Sequence, residues 1–241
     1  MSMSTPQKEQ ITIENYKEIL YRLRKCIGIL GLLLPIFMLT IYGKLLASMS
    51  HYYYTASSIF FVGILFSFGL VLMSYKGYKK EEDERFSDDQ VTSIAGLFAL
   101  ITVIIPTSCT DSGDVTISCA GDYLFGHTNA IFNTIHLTSA GLFILILGWM
   151  CVYKFTRSTK PASMYYHRFY RICGYVVWAA VGCIALIIAI DEFTNLDADT
   201  LIPGYVFVFE SVALYAFAIA WLVKGKVTRN LKDFKKQLFK K

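Results

Sequence analysis

Residues 26–47 read CIGILGLLLPIFMLTIYGKLLA, from Cys26 to Ala47. The stretch holds a single charge, Lys44, and follows directly on Arg22, Arg24 and Lys25. As a helix it is about 33 Å long, enough to cross ~30 Å of hydrocarbon. Five more apolar runs follow: Ser57–Tyr75, Val91–Pro106, Ala130–Tyr153, Tyr170–Ile190 and Pro203–Val223. A chain of 241 residues that is 55% apolar and 17% charged has room for one polytopic membrane domain and little else. The expected fold class is therefore all-α, with six transmembrane helices.

The basic residues orient these runs. The N-terminal segment carries Lys8, Lys17, Arg22, Arg24 and Lys25. The second connection carries Lys76, Lys79, Lys80 and Arg85, and the fourth Lys154, Arg157, Lys160, Arg168 and Arg171. The remaining bases but one lie from Lys224 to Lys241. Of the 23 Lys and Arg, only Lys44, near the far end of the first run, falls on the other side. Lys and Arg collect on the cytoplasmic side. Both termini are thus expected in the cytoplasm of a cell with an inner membrane. The expected domains are a cytoplasmic amphipathic segment over 1–25, a six-helix bundle over 26–223 and a basic amphipathic tail over 224–241. No cleavable signal peptide is apparent, so the first run reads as an uncleaved anchor.

The excess of positive charge does not point to nucleic acid. It sits at membrane margins, where anionic headgroups are the expected partners, above all for the C-terminal tail. In that tail Val227, Leu231, Phe234 and Leu238 recur at helical spacing among lysines. Membrane lipids are the implied partners, and a homo-oligomer is left open. Thr5–Arg24 reads as a short amphipathic helix lying on the same leaflet. The acidic stretch within Lys79–Gln90 reads as a solvated turn. In the fifth run, Ala179-x-x-Gly182-Cys183 has the small-residue spacing that suits close helix approach.

Cys109 and Cys119 fall in the third connection, which lacks Lys and Arg and so faces outward. A disulfide closing this hairpin-like loop is expected, because such bonds persist outside the cytoplasm.

The candidate site lies toward that outer side. Glu210 is the sharpest signal. It is a carboxylate about 10 Å inside the last run, where such a group faces a bundle interior or a wet cavity. His136 lies at a similar depth in the fourth run, with Asn133 and Ser139 nearby in sequence. His51 and Tyr53 belong to Ser50-His51-Tyr52-Tyr53-Tyr54-Thr55, which is either an aromatic belt at the interface or a lining of the same site. Three readings stay open. Glu210 and His136 could be a packing pair in a structural or accessory subunit. They could line a pocket that binds or passes a small molecule, ion or lipid headgroup, the preferred function. They could belong to an intramembrane hydrolase or transferase. No metal is expected: His127, His136, Glu210 and Asp191 lack the tight spacing that zinc sites show. Nor is a cofactor expected, since the chain lacks a phosphate-binding glycine loop and a dinucleotide fingerprint.

The stretches Ser50–Thr55, Phe60–Leu65, Ser74–Tyr78, Phe209-Glu210-Ser211 and Trp221–Gly225 resemble a group of uncharacterised bacterial multi-span proteins. The resemblance implies a bacterial inner membrane and no particular activity.

Overall fold

The computed structural model describes residues 5–78, 80, 82, 84–109, 119, 129–158, 164–194 and 202–226, with side chains from residue 14 onward except 192. The described elements are helical. They are α1 (Thr5–Tyr42), a 3-10 helix (Met49–Tyr54), α2 (Ser58–Met73), α3 (Asp88–Ile104), α4 (Ala130–Trp149), a π turn (Met150–Lys154), α5 (His167–Thr194) and α6 (Tyr205–Lys224).

Four segments are long and apolar enough to cross a membrane: Glu14–Tyr42, Ala130–Lys154, His167–Asp191 and Tyr205–Lys224. Ser58–Met73 is apolar but shorter. These helices suggest a membrane-embedded protein.

Local sequence sets the helix ends. Ser87 and Gln90 form a reciprocal cap at α3, each side chain bonded to the other's backbone N–H at 3.1 and 2.9 Å. Two donors that a helix start otherwise leaves open are satisfied this way. The Asn129 side chain accepts from Ile131 N at 2.9 Å and starts α4. At the end of α1, Gly43 takes a left-handed conformation (φ 77°), which glycine adopts without a Cβ penalty.

Several elements differ from the sequence expectation. No break separates Thr5–Arg24 from the first apolar run: α1 is one helix of 38 residues, and the boundary at residue 25 falls inside it. Leu20 and Arg24 are buried against the bundle, so this part of α1 packs on protein. Pro203 does not open the last helix. Gly204 stands before it at φ 68°, and α6 begins at Tyr205. The close helix approaches are not at Gly182, where a Cβ would meet no atom within 4 Å. They are at Gly148 against Gly174, joining α4 to α5, at Gly69 against Gly96, joining α2 to α3, and at Gly28 against Ala218, joining α1 to α6. Small residues act where two backbones cross, and the α5 face carrying Gly182 is not such a crossing. The basic tail beyond residue 226, including the amphipathic pattern 227–238, lies outside the described residues.

Each helix packs on its neighbours in sequence, and α6 closes the ring onto α1. The centre of the ring is filled. Phe68 of α2 meets Phe143 of α4 edge-on at 5.7 Å and Phe217 of α6 at 6.1 Å. Leu147, Phe217 and Trp221 complete this core. The helices alternate in direction. One end, rich in bases, joins Arg24, Tyr75, Asp88, Arg157 and Lys224. The opposite end joins the 3-10 helix to the end of α3 and the starts of α4 and α6.

Candidate functional site

The chain after α1 turns back into the bundle. Phe207 N donates to Ala47 O at 3.0 Å, which ties the start of α6 to this return. Tyr52 OH donates to Lys44 O at 2.7 Å and accepts from Leu46 N at 3.3 Å. Tyr54 OH donates to Thr107 O. Tyr52 and Tyr54 are buried. The tyrosine run therefore packs inward as a 3-10 helix and does not form an interfacial belt. Its hydroxyls satisfy backbone groups that lipid could not.

Two side chains hold this 3-10 helix. Glu210 Oε2 accepts from Met49 N at 2.8 Å. His136 Nε2 lies 2.7 Å from Ser50 Oγ, and His136 Nδ1 lies 2.6 Å from Ile105 O. A carbonyl only accepts, so Nδ1 carries the proton. In the neutral ring, Nε2 then accepts from the Ser50 hydroxyl. His136 is 1% exposed and both its ring nitrogens are occupied. Asn133 Oδ1 accepts from Thr107 Oγ1 at 3.0 Å and Ser108 N at 2.9 Å. Ser139 is buried one turn beyond His136. His51 Nδ1 pairs with Ser48 Oγ at 2.8 Å. Tyr53 is half-buried, its ring 5.3 Å from that of Tyr54 and 6.5 Å from that of Phe61.

Glu210 and His136 thus do not bond each other. In place of the packing pair, one of the three readings, there are two separate bonds to consecutive residues of one short helix. Glu210 differs from the others. It is half-buried, and Met49 N is its hydrogen-bond partner among the described residues. Beside it, Phe207 and Ser211 line an apolar groove of about 390 Å³ between α1 and α6, with Pro35, Leu39 and Tyr215.

Cys109 and Cys119 are joined by a disulfide with their Cα atoms 5.7 Å apart. The loop between them lies outside the described residues, as do His127, Asp111, Asp114, Asp122, Asp197 and Asp199. Among the described residues, no three His, Cys, Asp or Glu side chains group as metal ligands.

The basic end holds a second polar layer. The acidic connection is not a solvated turn throughout. Glu84 and Asp88 turn inward and meet Lys154 and Arg157. Lys154 Nζ lies 2.7 Å from Glu84 and 3.6 Å from Asp88, and it donates to Phe86 O at 2.5 Å. Arg157 lies 2.8 Å from Glu84 and 3.1 Å from Asp88. The π turn brings Lys154 here. Phe155 N bonds Met150 O five residues back, which adds a residue to the turn and rotates Lys154 inward to 4% exposure.

Arg24 is 2% exposed and has no carboxylate partner among the described residues. Its Nε and Nη2 donate to Tyr75 OH at 2.9 and 2.7 Å, while Nη1 reaches Tyr78 OH and Lys224 O at 3.5 Å. A phenol is uncharged at neutral pH. Tyr75 is therefore neutral and supplies Arg24 with a dipole rather than a charge. A partial sequence signal existed for this layer. Ser87-Asp88-Asp89-Gln90 is a helix-start pattern, which places Asp88 at a helix end rather than in a free loop. Nothing local in sequence marked Arg24 as buried.

Comparison of the chain with protein-family models, curated proteins and solved structures gives no match.

Proposed function

We propose that the protein is a six-span membrane protein with both termini in the cytoplasm of a bacterial cell, and that Glu210 binds the amine of a lipid headgroup or a small cation at the outer end. The alternation of the helices supports six spans. α2 and α3 have 16 and 17 residues, about 24–26 Å of helix. Yet each runs between the same two polar layers as the four longer helices. Hydrogen-bonded turns at Thr55–Ser58 and Ser74–Tyr75 extend α2 at its two ends, and Ser87 caps the start of α3. The positive-inside rule then assigns the basic end to the cytoplasm.

One observation carries the binding role. Glu210 offers a half-buried carboxylate whose hydrogen-bond partner among the described residues is Met49 N, and its helix neighbours Phe207 and Ser211 line an apolar groove. His136 has both ring nitrogens occupied and positions the 3-10 helix, and the Asn133 carbonyl oxygen is taken up by Thr107 and Ser108, so these atoms hold protein rather than a ligand. The filled centre around Phe68 favours binding at the rim over passage along the bundle axis.

Thermal unfolding in detergent tests this reading. Phosphatidylethanolamine, ethanolamine, Na⁺ and K⁺ are titrated against the protein and against Glu210→Gln. Glutamine keeps an acceptor for Met49 N and removes the charge. At least one amine or cation is expected to stabilise the protein and to lose that effect in Glu210→Gln. Equal responses from both proteins would reject the role of Glu210.

A further inference from the structure

The two polar layers differ in charge balance. In the basic layer, two cations, Lys154 and Arg157, meet two carboxylates, Glu84 and Asp88. Arg24 and Lys224 have no carboxylate within ion-pair distance among the described residues. Lys224 Nζ donates to Phe155 O at 2.8 Å and lies 5.7 and 5.3 Å from the ring centres of Phe155 and Tyr170. Arg24 lies 5.6, 5.6 and 5.1 Å from the rings of Tyr21, Tyr75 and Tyr78. Rings and carbonyls are dipoles. The C-terminal dipole of α6 offsets about half a charge. Among the described residues, more than one positive charge thus stays uncompensated in a largely buried layer, and desolvation makes that costly.

A third donor points to the same place. Trp221 is 0% exposed, one turn before Lys224. Its ring lies 5.0 Å from Tyr75 and 5.2 Å from Phe155, the two rings against which Arg24 and Lys224 lie. Its Nε1 is buried with no hydrogen-bond acceptor among the described residues. A buried N–H rarely stays without an acceptor. Donors and positive charge therefore converge where the end of α6 meets the middle of α1 and the start of α5, with acceptors in deficit among the described residues. Lys226, whose Nζ lies 4.3 Å from the Tyr21 ring, adds a further cation at the rim.

We infer that Arg24, Lys224 and Trp221 form the inner wall of a site for a phosphate group, entered past the half-buried Lys224 at the basic end. A phosphate supplies several strong acceptor oxygens and the missing negative charge. The group is carried either by an anionic lipid or by a soluble phosphate. The site is independent of Glu210, which lies at the other end of α6.

The purified full chain in detergent is titrated with inorganic phosphate and, separately, with short-chain phosphatidic acid, against chloride at equal ionic strength. Apparent affinity is read from the shift in unfolding temperature. Trp221→Phe keeps the ring and removes the N–H. Lys224→Met keeps the stem and removes the charge. Each is expected to weaken the phosphate effect about tenfold, while Lys76→Met at the same end leaves it unchanged. Stabilisation by phosphatidic acid alone assigns a lipid headgroup, and by both probes a site open to soluble phosphate. The inference is overturned if neither probe stabilises beyond chloride, or if Lys224→Met responds like the unaltered chain. The lysine variant decides alone should Trp221→Phe fail to fold.

Discussion

Glu210 and His136 grip consecutive residues of one 3-10 helix, Met49 and Ser50, without bonding each other. They come from α6 and α4, helices separated in the ring by α5. The returning segment between α1 and α2 is the piece that links them. Their energetic coupling therefore runs through Met49–Ser50.

His136→Ala is expected to cost more than Glu210→Gln. The alanine leaves Ile105 O and the Ser50 hydroxyl unsatisfied, at about 1–3 kcal/mol for a buried group. Glutamine preserves the bond to Met49, so its loss stays below about 1 kcal/mol. The double variant should lose less than the sum of the two, because a 3-10 helix already loosened at Ser50 gains little from its anchor at Met49. Chemical unfolding of all four proteins in detergent measures this. Strict additivity would mean that the two grips act on separate units.

The ion network at the basic end makes a larger effect. Lys154→Met leaves Glu84 and Asp88 sharing Arg157 in a poorly solvated layer. Removing one partner of a buried pair costs about 3–5 kcal/mol. Lys154→Met combined with Glu84→Leu removes one charge of each sign and should recover part of that loss. A lower unfolding temperature for the double variant than for Lys154→Met would contradict the pairing.

The contrast between Gly174 and Gly182 can be tested with one methyl each. Gly174→Ala places a Cβ about 2.7 Å from Gly148 O and 2.5 Å from Val152, so α4 and α5 must separate. Gly182→Ala meets open space and should be neutral, or stabilising by up to about 1 kcal/mol through helix propensity. Thermal unfolding of the two variants side by side should show a loss for the first alone.

This glycine contrast also marks what the sequence can show. The helices at the apolar runs were legible because length and composition are local properties, and four of them are long and apolar enough to cross a membrane. The cap at Ser87 is a local signal, yet the acidity of Lys79–Gln90 suggests a turn there, and α3 starts at Asp88 rather than at Val91. The choice between Gly182 and Gly174 was not, because it depends on which face of α5 meets α4. The pairing of Lys154 with Glu84 was hidden for a related reason. A π turn has no sequence mark here, and without it Lys154 would face elsewhere. Glu210 and His136 stood out as polar residues in apolar runs, but their partners are a backbone N–H, a serine hydroxyl and a carbonyl. Such groups occur everywhere in a sequence and single out no position.

The disulfide offers a redox test. Cys109 and Cys119 close a loop of about ten residues, which contributes roughly 2–3 kcal/mol by limiting the unfolded chain. Reduction, or Cys109→Ser with Cys119→Ser, should lower the unfolding temperature by a similar amount in either case. A reductant that shifts the double-serine variant equally would place its action at another site.

Topology can be read by single-cysteine labelling in a background with Cys26 and Cys183 replaced by serine. The basic end carries exposed Glu82 and Arg168, and the opposite end carries exposed Ile202. None of the three forms a hydrogen bond or ion pair reported above, so cysteine there leaves both polar layers intact. With six spans and cytoplasmic termini, a membrane-impermeant maleimide should label Ile202→Cys in intact cells. It should label Glu82→Cys and Arg168→Cys only after permeabilisation. The positions probe different helices. Glu82 reports on α2 and α3, the two short helices, and Arg168 on the connection between α4 and α5. If α2 and α3 stopped short of crossing and turned back within the bundle, Arg168 and Ile202 would still label as expected. Glu82 alone would then depart from the pattern. Labelling of Glu82→Cys from outside would reduce the crossing helices to the four long ones and reassign the Glu84–Lys154 contact to a folded-in loop.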